Sequence, residues 1–135
     1  MKKLIAGNWK MNGTVQSAKT LIADLINAIY EQQDVLESCD FVVCPSFLHI
    51  GAIRHATTTT DYVAFGGQDC AATDNGAHTG DTSAEMLKDA KCSYVILGHS
   101  ERRQNHGESD ALVASKAEKA HAQDLTAIIC VGETE

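Results

Sequence analysis

Between Tyr94 and Arg103 the chain reads YVILGHSERR, an apolar run that passes directly into His99, Ser100, Glu101, Arg102 and Arg103. Strand ends in parallel α/β proteins are where reactive groups are mounted, so a polar cluster at this place invites a chemical reading. A histidine there can pass a proton or polarise a carbonyl without a metal. Glu101 can orient or neutralise a neighbour. A second candidate group follows the first apolar run, in GNWKMN, where Asn8 and Lys10 share strand parity with Leu4 and Ala6. Lys10 is a compact cation suited to an anionic substrate. Val95, Leu97 and His99 likewise share a face, and Glu101 continues it if the chain stays extended. Two strand ends could then present Lys10 and His99 together. Taken singly, each has a plainer reading, as a solvated strand-end lysine and a hydrogen-bonded structural histidine. Motifs for rival chemistries are missing: the sequence has no G-x-S-x-G, no Walker loop and no G-x-G-x-x-G after a strand.

The elements that must position these groups are legible from periodicity. Five short runs rich in Val, Ile and aromatics begin at Lys3, Cys39, Asp61, Ser93 and Thr126, and none alternates apolar with polar. That texture predicts parallel strands buried on both faces. Thr14 can cap a helix with the stripe Val15, Ala18, Leu21, Ile22, Leu25 and Ile29. FLHIGAIRHA after Pro45 and Ser46 predicts a second helix, and Thr82 to Glu85 (TSAE) fits a capping box ahead of Met86, Leu87 and Ala90. Ser109 opens a fourth helix using Leu112, Val113, Ala117 and Ala120. Strand and helix thus alternate four times before a fifth strand, which implies right-handed βαβ units around a parallel sheet. The one long loop, Gly66 to Gly80, carries four glycines and Asp-Asn-Gly turn chemistry. Loops of that length are usually functional, the plainer alternative being a solvated excursion.

Composition narrows the function classes. The 135 residues are 44% hydrophobic and 21% charged, as in an ordinary globular domain, and no linker or low-complexity tract divides residues 1–135. A net charge of −7 argues against a nucleic-acid surface. The apolar run after Lys2 and Lys3 is too short for a signal peptide, and no span approaches membrane-crossing length. Five cysteines (Cys39, Cys44, Cys70, Cys92 and Cys130) without a C-x-x-C pair fit free thiols in a reducing cytoplasm. The scattered histidines offer no metal-ligand spacing, so no metal is expected.

AGNWKMNG near the start, GAHTGDTSAEML in the long loop and next helix, YVILGHSERR after it and IICVGE at the end together resemble triosephosphate isomerase, in that family's order and spacing. The resemblance covers essentially the whole chain. It implies the N-terminal half of a TIM (β/α)₈ barrel: a parallel (βα)₄ unit plus a fifth strand, here a single partial domain over residues 1–135. It also implies interconversion of dihydroxyacetone phosphate and glyceraldehyde 3-phosphate through an enediolate, without a cofactor. In the mechanism established for that family a neutral histidine polarises the carbonyl while a glutamate takes the substrate proton. Carried over, His99 matches the electrophile beside a helix N-terminus, Lys10 the substrate-binding cation and Asn8 its neighbour. Glu101 matches the acidic residue thought to interact with that lysine. Arg102 resembles a structural arginine paired with Glu108. Thr79 matches the threonine that reaches into the neighbouring subunit of a homodimer. The sequence departs from the family at His78, where a phenylalanine is usual, and in QNHGE before Ser109.

A complete barrel of this kind takes about 250 residues. The segment resembling Y-E-P-V-W, which carries the family's glutamate base, does not occur in these 135 residues, nor do the lid and the later phosphate-gripping loops. The chain is therefore expected to hold the electrophile and a cation but to turn over little by itself. The competing reading is a non-catalytic half-barrel that self-associates through unpaired strand edges and an uncovered face including Leu4, Ala6, Val95, Leu97, Ile128 and Cys130. A small phosphate-binding module is a weaker third reading, because no glycine-rich phosphate loop is present.

Overall fold

The structure, a computed structural model, describes residues 1–57 and 60–132. Met1–Gly66 and Gly67–Glu135 form two compact units. In the first, β1 (Lys3–Asn8) leads through α1 (Val15–Tyr30) and α2 (Gln33–Ser38) to β2 (Cys39–Cys44), then through α3 (Phe47–Ala56) to β3 (Ala64–Gly67). β1 lies parallel to β2, with Lys3 opposite Cys39 and Asn8 opposite Cys44. β2 is parallel to β3, with Val43 opposite Phe65.

Thr14 starts α1 as expected: its Oγ1 accepts from the Ser17 N–H at 3.1 Å while the Ser17 hydroxyl accepts from the Thr14 N–H at 2.8 Å. Two orphan donors of the first turn are satisfied reciprocally. α1 packs on α3, burying Ala18, Ile22 and Ile29 on one helix and Ile50 and Ile53 on the other. The buried seam is narrower than the expected stripe, for Val15 and Leu21 lie on its flanks in solvent. Val42, Val43 and Cys44 of β2 are buried, as a strand covered on both faces requires. β1 differs, with Lys3 to Ala6 exposed, and β2 is its only strand neighbour among the described residues. The short helix α2 was not evident from periodicity, since its six residues have no side-chain cap and bury none of their side chains.

In the second unit, α4 (Ala84–Asp89) precedes β4 (Tyr94–Leu97), and α5 (Ser100–His106) and α6 (Asp110–Ala122) lead to β5 (Thr126–Ile129). β4 and β5 pair in parallel from Tyr94 opposite Thr126 to Leu97 opposite Ile129. α6 packs on both strands and buries Val113, Ala117 and Ala120, as its pattern predicts, whereas Leu112 of the expected stripe is exposed. Val95 and Leu97 are fully buried at 0% exposure, which corrects their expected place on an uncovered face.

The α4 start also differs from expectation. Ser83, not Thr82, is the N-cap and accepts from the Met86 N–H at 3.1 Å. The Thr82 carbonyl is instead engaged by the Ala71 N–H at 2.8 Å, which ties the long loop to the start of α4. That loop is no simple excursion. Cys70 is buried, whereas residues 73–81 are exposed. At the loop's entry, a side chain on Gly67 would put its Cβ 2.7 Å from a Leu87 methyl, so any larger residue would have to displace that buried leucine.

Candidate active site

At the end of β1 the chain turns sharply. The Trp9 N–H donates to the Cys44 carbonyl at 3.1 Å, extending the β1–β2 register by one bond. The Asn8 side-chain oxygen accepts from the Lys10 N–H at 2.9 Å, and the Asn12 amide donates to the Trp9 carbonyl at 3.0 Å. Lys10 itself has φ +55°, a left-handed conformation uncommon outside glycine and asparagine. Asn8 therefore acts on Lys10 through the backbone, pinning a strained turn from which the exposed lysine projects.

At the end of β4 the turn is made by Gly98 (φ +66°) and His99. His99 is the N-cap of α5, with its ring Nδ1 accepting from the Glu101 N–H at 3.1 Å. That bond needs a lone pair on Nδ1, so the neutral ring carries its proton on Nε2 and can donate from there. The Glu101 carboxylate stands 3.6 Å from the same nitrogen. The expectation that Glu101 continues the extended parity of β4 is corrected, because the chain enters α5 at Ser100. Glu101 meets the ring through the helical turn instead. Ser100 is exposed at the helix start.

Arg103, which sequence reasoning left without a role, holds this turn. Its Nε donates to the Gly98 carbonyl at 2.7 Å, Nη1 to Asp110 Oδ1 at 2.6 Å and Nη2 to the Cys130 carbonyl at 3.3 Å. Arg102 pairs with Glu108 as expected, but the pair belongs to a larger cluster. Its Nε also lies 3.2 Å from Asp69 Oδ2, and Lys116 Nζ stands 2.9 Å from both Asp69 Oδ1 and Glu108 Oε2. Two cations thus neutralise two carboxylates. Asp69 and Lys116 carried no sequence signal, being a loop residue and a polar residue on a weakly patterned helix.

The electrostatics of this cluster differ between its acids. Burial pushes Glu108 upward, but the Lys116 and Arg102 hydrogen bonds together outweigh it and hold the carboxyl below its ordinary value. For Asp69 burial wins over the same cations, and its carboxyl is raised. Cys70 is pushed up to about 11 by burial and by the nearby Asp69 charge, which keeps it a protonated, unreactive thiol. Burial raises Cys130 too, with Arg103 opposing.

Thr79 lies on the exposed tip of the long loop, in a turn where the His78 N–H donates to the Gly76 carbonyl and the Asp81 N–H to the His78 carbonyl. None of the five cysteines is joined in a disulfide. Among the described residues no three His, Cys, Asp or Glu side chains are grouped to hold a metal, and no helix is long and apolar enough to cross a membrane.

A parallel α/β chain with its candidate groups just beyond the C-terminal ends of β1 and β4 has the organisation of TIM-barrel enzymes. Its structure matches a crystal structure of triosephosphate isomerase from Bartonella henselae at a TM-score of 0.85 and 40% identity, over 99% of this chain and 53% of that one. The fold is the N-terminal half of that barrel. The family model for triosephosphate isomerase matches residues 3–135, and the chain belongs to the triosephosphate isomerase family. Similar relatives include the triosephosphate isomerases of Bradyrhizobium sp. (strain ORS 278), 51% identical over the whole chain, and of Ruegeria sp. (strain TM1040), 50% identical over 98% of it. The chain spans about half the length of the curated relatives it matches, 52% and 50% in these two.

Proposed function

We propose that this chain supplies the electrophile and the substrate cation of a triosephosphate isomerase site, acting on a small phosphorylated triose in the cytoplasm without a cofactor. The observation that carries the reading is the Glu101 N–H donated to His99 Nδ1, because it leaves Nε2–H as the donor a substrate carbonyl requires. As a proton leaves the carbon beside that carbonyl, negative charge grows on the oxygen, and a fixed donor stabilises it more in the transition state than in the ground state. Lys10, steadied by Asn8, attracts the anionic substrate, and Glu101 orients the His99 ring beside it. The proton is taken by a carboxylate outside the candidate residues named here. Thr79 serves a homodimer contact, and residues 1–135 act as one partial domain. The exposed Leu4 and Ile5 on β1 and Ile129 on β5 support self-association of the chain.

The test is an isomerase assay on the purified chain, alone and mixed with a polypeptide supplying the other half of a relative's barrel. Alone, turnover should be negligible, since a missing general base costs on the order of 10²–10⁴-fold. In the reconstituted pair His99→Ala should remove most of kcat. A reconstituted His99→Ala that keeps most of its rate would overturn the assignment.

A further inference from the structure

The structure assigns Arg103 as a positioning residue for the His99 imidazole. The inference rests on the reading of His99 as the electrophile for its functional meaning, but its geometry stands apart from any activity. Gly98 and His99 share one peptide group, with the Gly98 carbonyl at one end and the His99 N–H at the other. Arg103 Nε fixes that carbonyl at 2.7 Å. The plane of the Gly98–His99 peptide sets the direction in which the His99 side chain leaves the backbone. The same guanidinium reaches the Cys130 carbonyl just beyond β5 at 3.3 Å and Asp110 Oδ1 at the first residue of α6 at 2.6 Å. Three directions are thus read from one rigid fork, which a lysine ammonium on a flexible stem does not reproduce. Gly98 is shaped to the arrangement: its left-handed φ turns the carbonyl toward Arg103, and a Cβ there would stand 2.8 Å from Nη2. Arg103 also sits one turn along α5 from the ring it steadies, with its own N–H donating to the His99 carbonyl at 3.0 Å. Backbone and side chain of one arginine therefore clamp the peptide groups on both sides of His99.

The readout is the ¹⁵N spectrum of the His99 ring, assigned by its loss in His99→Gln. In the 135-residue chain the ring should show one narrow tautomer with Nδ1 as acceptor and Nε2 protonated. Arg103→Lys should shift both ring nitrogens toward the averaged values of two exchanging tautomers while far-UV helicity is kept. In Arg103→Ala, added guanidinium should return them and methylammonium should not. Unchanged His99 nitrogens in a folded Arg103→Lys chain would overturn the assignment. If both Arg103 variants unfold, Asp110→Ala decides: it removes one anchor of the fork at a side chain 95% exposed, and should give a smaller shift in the same direction. No shift in that variant overturns the assignment equally. A failed isomerase reconstitution leaves these spectra unaffected, so the two readings fail separately.

Discussion

Lys116 Nζ lies 2.9 Å from Glu108 Oε2, with only 7% and 2% of the two side chains exposed. Glu108 Oε1 is buried without a hydrogen bond from the protein, and both cations of the cluster donate to the single oxygen Oε2. Removing Lys116 leaves buried carboxylate charge with Arg102 alone against it. Lys116→Met should therefore destabilise the chain by about 3–5 kcal/mol, the range for breaking a buried pair from one side. Lys116→Met combined with Glu108→Gln should cost clearly less than the sum of the singles, because the stranded charge is gone. Denaturant midpoints of the four proteins form the test, and additive losses would show that the pair is not coupled.

Acid should act on this cluster in two opposed stages. Asp69 has a raised folded value, so its contribution is fully present below its unfolded value near 3.9 and is lost as pH rises through the folded one. Glu108 has a lowered folded value, so its contribution is present above the unfolded value near 4.3 and is lost as pH falls through the folded one. Acidification from neutrality should first give a gain from Asp69 and then a loss from Glu108. Asp69→Asn should abolish the first stage and Glu108→Gln should flatten the second, read as unfolding midpoints against pH.

The displaced α4 cap gives a sharp comparison. Ser83→Ala should cost about 1 kcal/mol, the usual value of a side-chain N-cap, and Thr82→Ala much less. Thr82 acts through its carbonyl to Ala71, which the substitution keeps. Equal losses in thermal unfolding would restore Thr82 as the cap.

Gly98→Ala should be costly for two separable reasons. Its φ of +66° charges an L-residue about 1–2 kcal/mol, and a Cβ 2.9 Å from both Val113 methyls adds about 1–3 kcal/mol of overpacking. Val113→Ala in the same chain should recover part of the second cost and none of the first. A Gly98→Ala midpoint equal to that of the parent chain would contradict this account.

The strands were legible because strands of a parallel sheet favour continuous Val, Ile and aromatic runs. Each of the five runs overlaps a strand, although β1 and β5 are not buried on both faces as expected. Thr14 and Ser109 were legible because a cap is a local device whose residue type and spacing stand in the sequence. The missed features depend on distance in sequence. Asp69 and Lys116 are 47 positions apart, and no periodicity links a loop carboxylate to a helical lysine. Glu101 was misdirected because strand parity was carried past Gly98, whose left-handed turn ends the strand and lets α5 begin at once. Val95 and Leu97 were misplaced because strand parity assigns them a face, whereas their complete burial depends on what packs against that face, which no local pattern specifies.

From the end of α5 through the first residue of α6 the chain spends four consecutive residues on four separate devices. Gly107, at φ +64°, is the C-cap that ends α5; Glu108 enters the buried cluster; Ser109 caps α6; and Asp110 receives the Arg103 fork. Connections between helices ordinarily accept insertions and deletions, because solvent does not care about their length. Here the length is itself information. One residue more or fewer would withdraw a helix stop, a buried carboxylate, a helix start and an arginine anchor in the same stroke. The residue count of this stretch is a dimension of the fold.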